Sequence, residues 1–155
     1  MATYRNTSNK QNIVDVTIGD NVKIYDFVNL YGCEIGENTQ IGTFVEIQRG
    51  VKIGKNCRIQ SHTFICEGVT IEDNVFIGHN VVFINDKNPT IEKTINKTWT
   101  LERVLVKRGA VIGSGAVIMA GVIVGNNAVV GAGAVVLKNV DAKSTVVGNP
   151  AKKIE

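Results

Sequence analysis

The sequence is poor in several features that define common protein classes. Its 155 residues include two prolines, aromatic residues make up 6 %, and charged residues make up 20 %. No apolar run reaches the roughly 18 residues that cross a bilayer, which excludes a transmembrane helix. The first twelve residues lack the apolar stretch of a secretory signal, and a dispersed net charge of +3 does not indicate nucleic-acid binding. We therefore expect a single domain over residues 1–155, with no membrane insertion.

The cysteines are few and their spacing is uninformative for disulfides. Cys33, Cys57 and Cys66 are an odd number and form no CxxC pair. This arrangement is typical of free thiols in a reducing compartment, so the sequence predicts a cytoplasmic protein. What the chain has instead is sixteen glycines and an apolar fraction of 44 %, mostly Val, Ile and Ala. These residues favour closely stacked strands over a Leu-rich helical bundle.

A six-residue repeat runs through most of the chain. Period six fits neither a 3.6-residue helix nor simple strand alternation, but it fits a solenoid of short strands separated by corners. Asn21, Asn38, Asn56, Asn74 and Asn127 recur with a spacing near 18, which predicts three strands per coil and one corner with a left-handed backbone. Eighteen hexads then give a parallel β-helix of about six triangular coils. The aliphatic or Phe anchors are Ile18, Ile24, Leu30, Ile35, Ile41, Ile47, Ile53, Ile59, Ile65, Ile71, Ile77, Phe83, Val106, Ile112, Ile118, Val124, Val130 and Val136.

The repeat is interrupted once. From Asn74 to Gly109 there are 35 residues, seventeen more than one coil needs, which places an inserted loop near residues 86–103. Long loops on regular scaffolds are more often functional than accidental.

The 18-residue register stacks side chains into columns at the corners. Arg49, Glu67 and Asn85 share one column, which continues through Ala120 and Lys138. A second corner carries Thr43, Ser61, His79, Ser114 and Ala132, and beside it run Phe44, His62, Asn80, Gly115 and Gly133. Polar residues gather near the insertion, and small residues follow toward the C-terminus. This gradient suits a long thin ligand whose reactive end meets the polar residues.

These motifs resemble a known family. The pattern I-G-x-N-x-x-I-G-x-x-V-x, the loop at FINDKNP and the ending VVGNPAKKI are similar to the left-handed β-helix hexapeptide-repeat acyltransferases. IQSHTFICEGVTI and FINDKNP resemble the N-acetyltransferases of nucleotide-linked 3-amino sugars, which serve O-antigen and other surface polysaccharides. The resemblance implies an all-β, left-handed fold. It also implies acetyl-CoA as acetyl donor, a UDP- or dTDP-linked amino sugar as acceptor, and a homotrimer with active sites between subunits.

The resemblance also implies site residues. Residues matching Glu67 and Asn85 line the acceptor pocket of related enzymes, so we expect Asn85 to accept from the attacking amine and Glu67 to bind or orient it. Either His62 or His79 can alternatively act as a general base, as hydroxyl-acetylating relatives require. Another possibility is that the departing thiolate takes the proton.

Three residues are predicted to bind the acceptor substrate. Arg49 suits diphosphate or carboxylate oxygens, or it pairs with Glu67 as a structural ion pair. Asp86 and Trp99 belong to the insertion, and Trp99 either stacks on a base or anchors the loop. In the resembling family this loop reaches a neighbouring subunit and helps to wall the active site.

Cofactor contacts are expected at the small residues and the C-terminal end. Backbone groups at Ser114, Ala120 and Ala132 are open to a pantetheine chain because no bulky side chain stands there. Lys138 and Lys152 supply positive charge for the adenosine phosphates, and Pro150 matches the family's ending near the cofactor. Alternatively, the lysines are solvated surface and GNP is only a closing turn. No metal is expected.

The same residues also bear on alternative functions of this fold. A sugar O-acetyltransferase with a His base is the nearest alternative. A zinc-dependent γ-carbonic anhydrase needs three histidine ligands, and this chain has two. An ice-binding solenoid needs a flat face of repeated Thr, and a non-catalytic structural solenoid needs no insertion.

Overall fold

The computed structural model describes residues 2–6, as backbone, and residues 10–154. Its strands are mostly two to four residues long and stack in parallel with partners one coil away. Three faces result, which we number in the order the chain visits them in each coil. This confirms the predicted all-β, left-handed parallel β-helix.

The strands of each face keep the predicted register. The long strand Gln11–Ile18 bends at Asp15 and serves two faces: Thr17–Ile18 pairs on the first and Gln11–Val14 on the third. The first face continues with Glu34–Ile35, Lys52–Ile53, Val69–Ile71, Val104–Val106 and Ile123–Val124. The second face has Lys23–Ile24, Gln40–Ile41, Arg58–Ile59, Phe76–Ile77, Val111–Ile112, Val129–Val130 and Thr145–Val147. The third face has Val28–Tyr31, Glu46–Ile47, Phe64–Ile65, Val82–Phe83, Val117–Ile118 and Val135–Val136.

Each end of the solenoid carries an antiparallel strand. Ala2–Asn6 pairs with Gln11–Ile18, and Lys152–Ile154 folds back on Thr145–Val147. The second face alone has seven parallel strands, so the stack is slightly longer than the six coils predicted. The difference arises because Gln11–Val14 and Thr145–Val147 lie beyond the first and last anchors of the six-residue series.

The interior is a column of the repeat anchors. Residues such as Ile41, Ile59 and Phe83 are fully buried, and each contributes about 1.5–3 kcal/mol of hydrophobic stabilisation. Thr39 and Thr63, also buried, donate their hydroxyls to main-chain carbonyls at 3.0 and 2.9 Å. Among the described residues, no buried side-chain nitrogen or oxygen lacks a hydrogen bond.

All three corners contain left-handed residues, whereas the sequence predicted this for one. The asparagine corner, between the first and second faces, uses Asn21, Asn38, Asn56, Asn74, Gly109 and Asn127. The histidine corner, between the second and third faces, uses Phe27, Phe44, His62, Asn80, Gly115 and Gly133. The insertion corner, between the third and first faces, uses Gly32, Gly50, Gly68 and Gly121. The prediction followed only the asparagine series, so it overlooked the glycines of the other two corners, and it also missed Phe and His, which the stacking forces into this conformation.

The insertion lies where it was predicted, between Val82–Phe83 and Val104–Val106. It contains a short helix, α1, over Ile91–Asn96, which the sequence analysis did not predict. Thr90 caps the helix by accepting from the Lys93 amide, and Lys97 ends it in the left-handed conformation. Within the described ranges, no helix has the length and apolar character needed to cross a membrane.

Candidate active site

A cleft opens where the insertion leaves the solenoid. It has a volume of about 310 Å³. Four predicted site residues, Glu67, Asn85, Asp86 and Trp99, line it together with Gln48 and Thr94. The insertion therefore forms one wall of the cleft and the stacked column of the insertion corner forms the other.

Asn85 lies directly above Glu67, as the register predicted. Its amide Nδ2 donates to the Glu67 main-chain carbonyl at 3.0 Å, and the Glu67 amide donates to Gln48 Oε1 at 3.2 Å. Because this bond orients the Asn85 amide group, its carbonyl oxygen Oδ1 is the atom that the side chain offers as an acceptor. Glu67 and Asn85 are both half-buried, so their oxygens meet the cleft from a partly desolvated wall.

The two ends of the insertion are joined to each other and to the corner. Lys87 Nζ lies 2.6 Å from Glu102 Oε2, and the Glu102 amide donates to the Asn85 carbonyl at 3.0 Å. Leu101 covers Gly68 so closely that a Cβ added there would lie 2.9 Å from its Cδ1. The first and last residues of the insertion are thus held beside Asn85.

Asp86 and Trp99 both line the cleft, but Asp86 also makes a hydrogen bond within the insertion. Asp86 Oδ1 accepts from the Asn88 amide at 2.8 Å, so this carboxylate also shapes the first turn of the insertion. Trp99 is 36 % exposed, and its ring lines the cleft. The cleft thus combines carboxylates, amides and one large aromatic surface, a set suited to a polar ligand with a planar group.

At the histidine corner, His79 contacts residues of the coils below and above it. Ser61 Oγ lies 2.8 Å from His79 Nδ1, the His79 amide donates to Ser114 Oγ at 3.1 Å, and its carbonyl accepts from the Gly115 amide at 2.7 Å. The side chain is exposed. With Nδ1 in contact with Ser61, Nε2 is the ring nitrogen left for a ligand.

His62 has a different environment on the same corner. Its ring stacks on Phe44 with centroids 4.8 Å apart, and Phe44 stacks in turn on Phe27 at 5.3 Å. We call Phe27, Phe44 and His62 the aromatic ladder. Phe27 and Phe44 are each about half exposed (54 % and 51 %). His62 is therefore part of an apolar stack, while His79 has polar partners.

The two corners lie at opposite ends of the third face. His79 and Asn85 are six residues apart along an extended segment, which at about 3.3 Å per residue is roughly 15–20 Å. Within one chain the structure therefore brings Asn85, Glu67, Asp86 and Trp99 together, but it does not bring either histidine to them.

Arg49 lies apart from the cleft. It lines a separate hollow with Val14, Asp15, Tyr31 and Gly32. Among the described residues, the alternative ion pair between Arg49 and Glu67 is not formed. Its role in binding oxygens of a substrate stays a prediction.

The predicted cofactor residues fall at three places. Ser114 and Ala132 stack on the histidine corner, and both are exposed. Ala120 and Lys138 continue the insertion corner, where Ala120 is fully buried and Lys138 is exposed. Pro150 and Lys152 belong to the hairpin that closes the C-terminal end. GNP is thus a closing turn, and the contact of these residues with coenzyme A stays a prediction.

Sequence reasoning missed Gln48 and Thr94, and it gave Ser61 a position but no role. Gln48 precedes the column of Arg49 by one residue, and its side chain supports Glu67. Thr94 lies in α1, and the six-residue repeat does not predict the position of this helix. Ser61 was placed in the column of His79, and the close Oγ–Nδ1 approach follows from a register in which stacked coils lie about 4.8 Å apart.

The cysteines and acidic residues suggest neither a nucleophile nor a metal site. Burial raises the pKa of Cys33 to about 12 and that of Cys66 to about 11, and burial also raises the pKa of Cys57. Such thiols stay protonated at neutral pH and do not act as nucleophiles. In residues 10–154 no three His, Cys, Asp or Glu side chains come together as metal ligands.

Comparison with known sequences identifies the repeat. Residues 15–49, 32–67, 50–85 and 103–138 match the bacterial transferase hexapeptide family (six repeats). A serine acetyltransferase from Buchnera aphidicola subsp. Acyrthosiphon pisum is 39 % identical over 117 residues, which are 70 % of this chain and 37 % of that protein. The chain thus spans little more than a third of that relative.

Solved structures share the fold over most of the chain. A variant of AntD, an N-acyltransferase from Bacillus cereus in complex with dTDP and coenzyme A, is 25 % identical with a TM-score of 0.81, covering 90 % of this chain and 82 % of that one. A hexapeptide-repeat acetyltransferase from Vibrio cholerae O1 biovar eltor, complexed with acetyl coenzyme A, is 25 % identical with a TM-score of 0.69, covering 80 % and 70 %. With its repeats matched over more than half of its length, this chain belongs to the bacterial transferase hexapeptide family.

Proposed function

We propose that this protein transfers the acetyl group of acetyl-CoA to the 3-amino group of a UDP- or dTDP-linked amino sugar. The observation that carries the proposal is the cleft, in which Asn85 is stacked on Glu67 beneath the insertion. The likeness to AntD, which was solved with dTDP and coenzyme A, supports a nucleotide-linked acceptor. The product would serve surface-polysaccharide (O-antigen) synthesis in the cytoplasm.

The cleft residues divide the work of such a transfer. An attacking amine needs acceptors for its N–H groups, and Asn85 Oδ1 and the Glu67 carboxylate provide them at neighbouring heights on one wall. Trp99 offers a planar surface to the nucleobase, and Asp86 offers a carboxylate to sugar hydroxyls. Holding the amine against the thioester carbonyl lowers the barrier by orientation.

We further propose that the active site is completed in a homotrimer. The histidine corner presents outward apolar side chains on both adjoining faces, as well as the edges of the aromatic ladder, and contiguous apolar surface of this kind marks interfaces. These outward residues are Phe76, Val111 and Val129 on the second face and Phe64, Val82, Val117 and Val135 on the third. A second copy seated there would bring its insertion corner toward His79 and the exposed Ser114 and Ala132.

Direct mass measurement tests the reaction. The protein is incubated with acetyl-CoA and UDP- or dTDP-linked 3-amino sugars, and the matching 3-hydroxy sugars serve as controls. We expect the amino sugars alone to gain one acetyl mass. No gain with any amino sugar would contradict the proposal.

Mixed oligomers test the shared site. His79→Ala and Asn85→Ala chains are each expected to be impaired, whereas co-expressed chains would regain about a quarter of wild-type activity because that share of interfaces pairs an intact His79 with an intact Asn85. No recovery in a confirmed mixed oligomer would argue against a site built from both corners.

O-acetyl transfer is the second candidate. The contact between Ser61 and His79 favours it, because a hydroxyl acceptor needs a base and an oriented imidazole is the usual one. Acetylation of the 3-hydroxy sugars, with the amino sugars unchanged, would select this alternative.

A further inference from the structure

We infer that Ser61 is a positioning residue for His79: its hydroxyl oxygen accepts from Nδ1–H and holds the imidazole in the tautomer whose Nε2 is unprotonated. The inference rests on the proposed function in making that Nε2 the acceptor of the substrate's proton. It also separates the two histidines, which the sequence left as equal candidates.

The first support is the number of contacts that restrain His79. Its amide and carbonyl are bonded to Ser114 Oγ and the Gly115 amide on the coil above, and its ring meets Ser61 on the coil below. The contact with Ser61 is the one of the three that acts on the imidazole ring itself. Here two hydroxyls from two different coils converge on a single exposed residue.

The second support is the polarity of the column. The Thr43 hydroxyl, one coil below Ser61, donates to the main-chain carbonyl of Asp26 on the next coil down. We assign the same direction to Ser61, which gives its own proton downward or to water and turns its lone pairs to the coil above. Nδ1 then carries the hydrogen of the neutral ring, and the second nitrogen is a free base.

The third support is the contrast with His62. That ring stacks on Phe44 at 4.8 Å with an interplanar angle of 29°, and its backbone is left-handed with φ of 63°. Among the described residues, none makes a hydrogen bond to the His62 ring that would select its tautomer. His79 is therefore the histidine whose tautomer is selected by its surroundings.

The chemical step balances without further groups. The amine nitrogen attacks the thioester carbonyl carbon, a C–N bond forms and the C–S bond breaks. In the proposed trimer, the proton lost by the nitrogen passes to Nε2 of His79 on the neighbouring copy, and the departing CoA thiolate then takes it from the imidazolium. Ser61 neither gains nor loses a proton in these steps, because its role is to keep Nε2 unprotonated and directed outward.

Nuclear magnetic resonance of the intact protein tests the tautomer. The chain has two histidines, so ¹⁵N-histidine labelling gives two rings, and His62 is an internal reference. At about pH 8 we expect His79 to show a protonated Nδ1 and an unprotonated Nε2. Ser61→Ala should abolish that preference while the His62 signals stay in place.

Two further variants separate positioning from packing. Ser61→Thr keeps the hydroxyl and suits a column that already holds threonine at Thr43, so it should restore the wild-type tautomer. Thr43→Ala removes a hydroxyl from the same column without touching His79, and it should leave the tautomer unchanged. In steady-state assays Ser61→Ala should lower kcat about tenfold, a typical effect for a group that orients a functional histidine, with KM values unchanged.

The outcomes distinguish this inference from the proposed function. An Nε2-protonated His79 in the wild type, or a tautomer indifferent to Ser61→Ala, would overturn the assignment of Ser61 even if the sugar is acetylated. A Ser61-dependent tautomer in a protein that acetylates no amino sugar would uphold the positioning and reject the substrate class.

Discussion

The histidine corner and the insertion corner bound the same face of the solenoid, yet they are built by opposite means. The histidine corner is continuous, and several of its side chains contact their equivalents on the next coil, as in Phe27 on Phe44 and Ser61 under His79. The insertion corner is broken after Asn85 by seventeen extra residues that stand away from the coils and leave a cleft of about 310 Å³. Repetition fixes the orientation of a side chain, while interruption provides volume for a ligand.

The strongest test of this contrast is the removal of Asn85. Asn85→Ala should lower kcat about 10²-fold, the usual effect of losing one preorganised hydrogen-bonding group. The measurement is acetyl transfer to the amino sugar at saturating acetyl-CoA. Asn126→Ala, on an exposed corner position far from the cleft, is the matched control and should be silent. Equal losses in both variants would remove the special status of the insertion corner.

The next effect concerns the wall supplied by the insertion. Trp99→Ala should raise the KM for the nucleotide-linked sugar roughly tenfold, as expected for a stacked base worth about 1–3 kcal/mol, and leave the KM for acetyl-CoA unchanged. Trp99 is also the sole tryptophan of the chain, so binding of the sugar nucleotide should alter the intrinsic fluorescence of the wild type. An unchanged KM with a lowered melting temperature would make Trp99 an anchor of the loop.

A smaller effect is expected on the histidine corner, where aromatic stacking is combined with a left-handed backbone. Phe44 has φ of 58°, a conformation that costs a bulky residue about 1–2 kcal/mol. Phe44→Ala should destabilise the protein by losing the stack, and Phe44→Gly should recover about 1 kcal/mol of that loss because glycine accepts positive φ. Denaturant unfolding of both variants gives the comparison, and sedimentation reports whether the ladder also supports self-association. If the alanine variant is the more stable, strain is not stored here.

The smallest effect is predicted for the ion pair that fastens the insertion. Lys87 and Glu102 have side chains 45 % and 33 % exposed, so Lys87→Ala should cost less than about 1 kcal/mol of stability. The cost should shrink further in high salt. Lys52→Ala, which removes a similar exposed pair with Glu34 from the regular solenoid, is its counterpart. A loss above 2 kcal/mol at position 87 alone would mean that the insertion contributes to the folding of the coils.

The six-residue period explains how much of the fold and of the candidate site could be predicted from the sequence. The anchors from Ile18 to Val136 determined the register, and the register alone stacked Asn85 over Glu67 and His79 over Ser61. Those juxtapositions need only a constant coil length, which the sequence states directly. The one-residue shortening near Cys33 was equally visible, since Ile18 pairs with Ile35 at a spacing of seventeen.

What was not predictable is what does not repeat. The position of Thr94 depends on α1, whose ends are set by Thr90 and Lys97 within a loop that has no periodic neighbour. The failure of Arg49 to pair with Glu67 depends on side-chain rotamers, which stacking leaves open. Left-handed Phe27 and Phe44 contradict local preference, because tertiary register overrides the conformation those residues favour alone.

The insertion leaves the register between the neighbouring coils intact. Val82 pairs with Val117 and Val69 with Val104, as if the seventeen residues between the coils were absent. In a quasi-one-dimensional stack of this kind, each coil contacts only the coils directly before and after it. The wall that the insertion adds to the cleft is therefore a module that can be lengthened, exchanged or excised without redesigning the scaffold, so the shape of the cleft can evolve independently of stability.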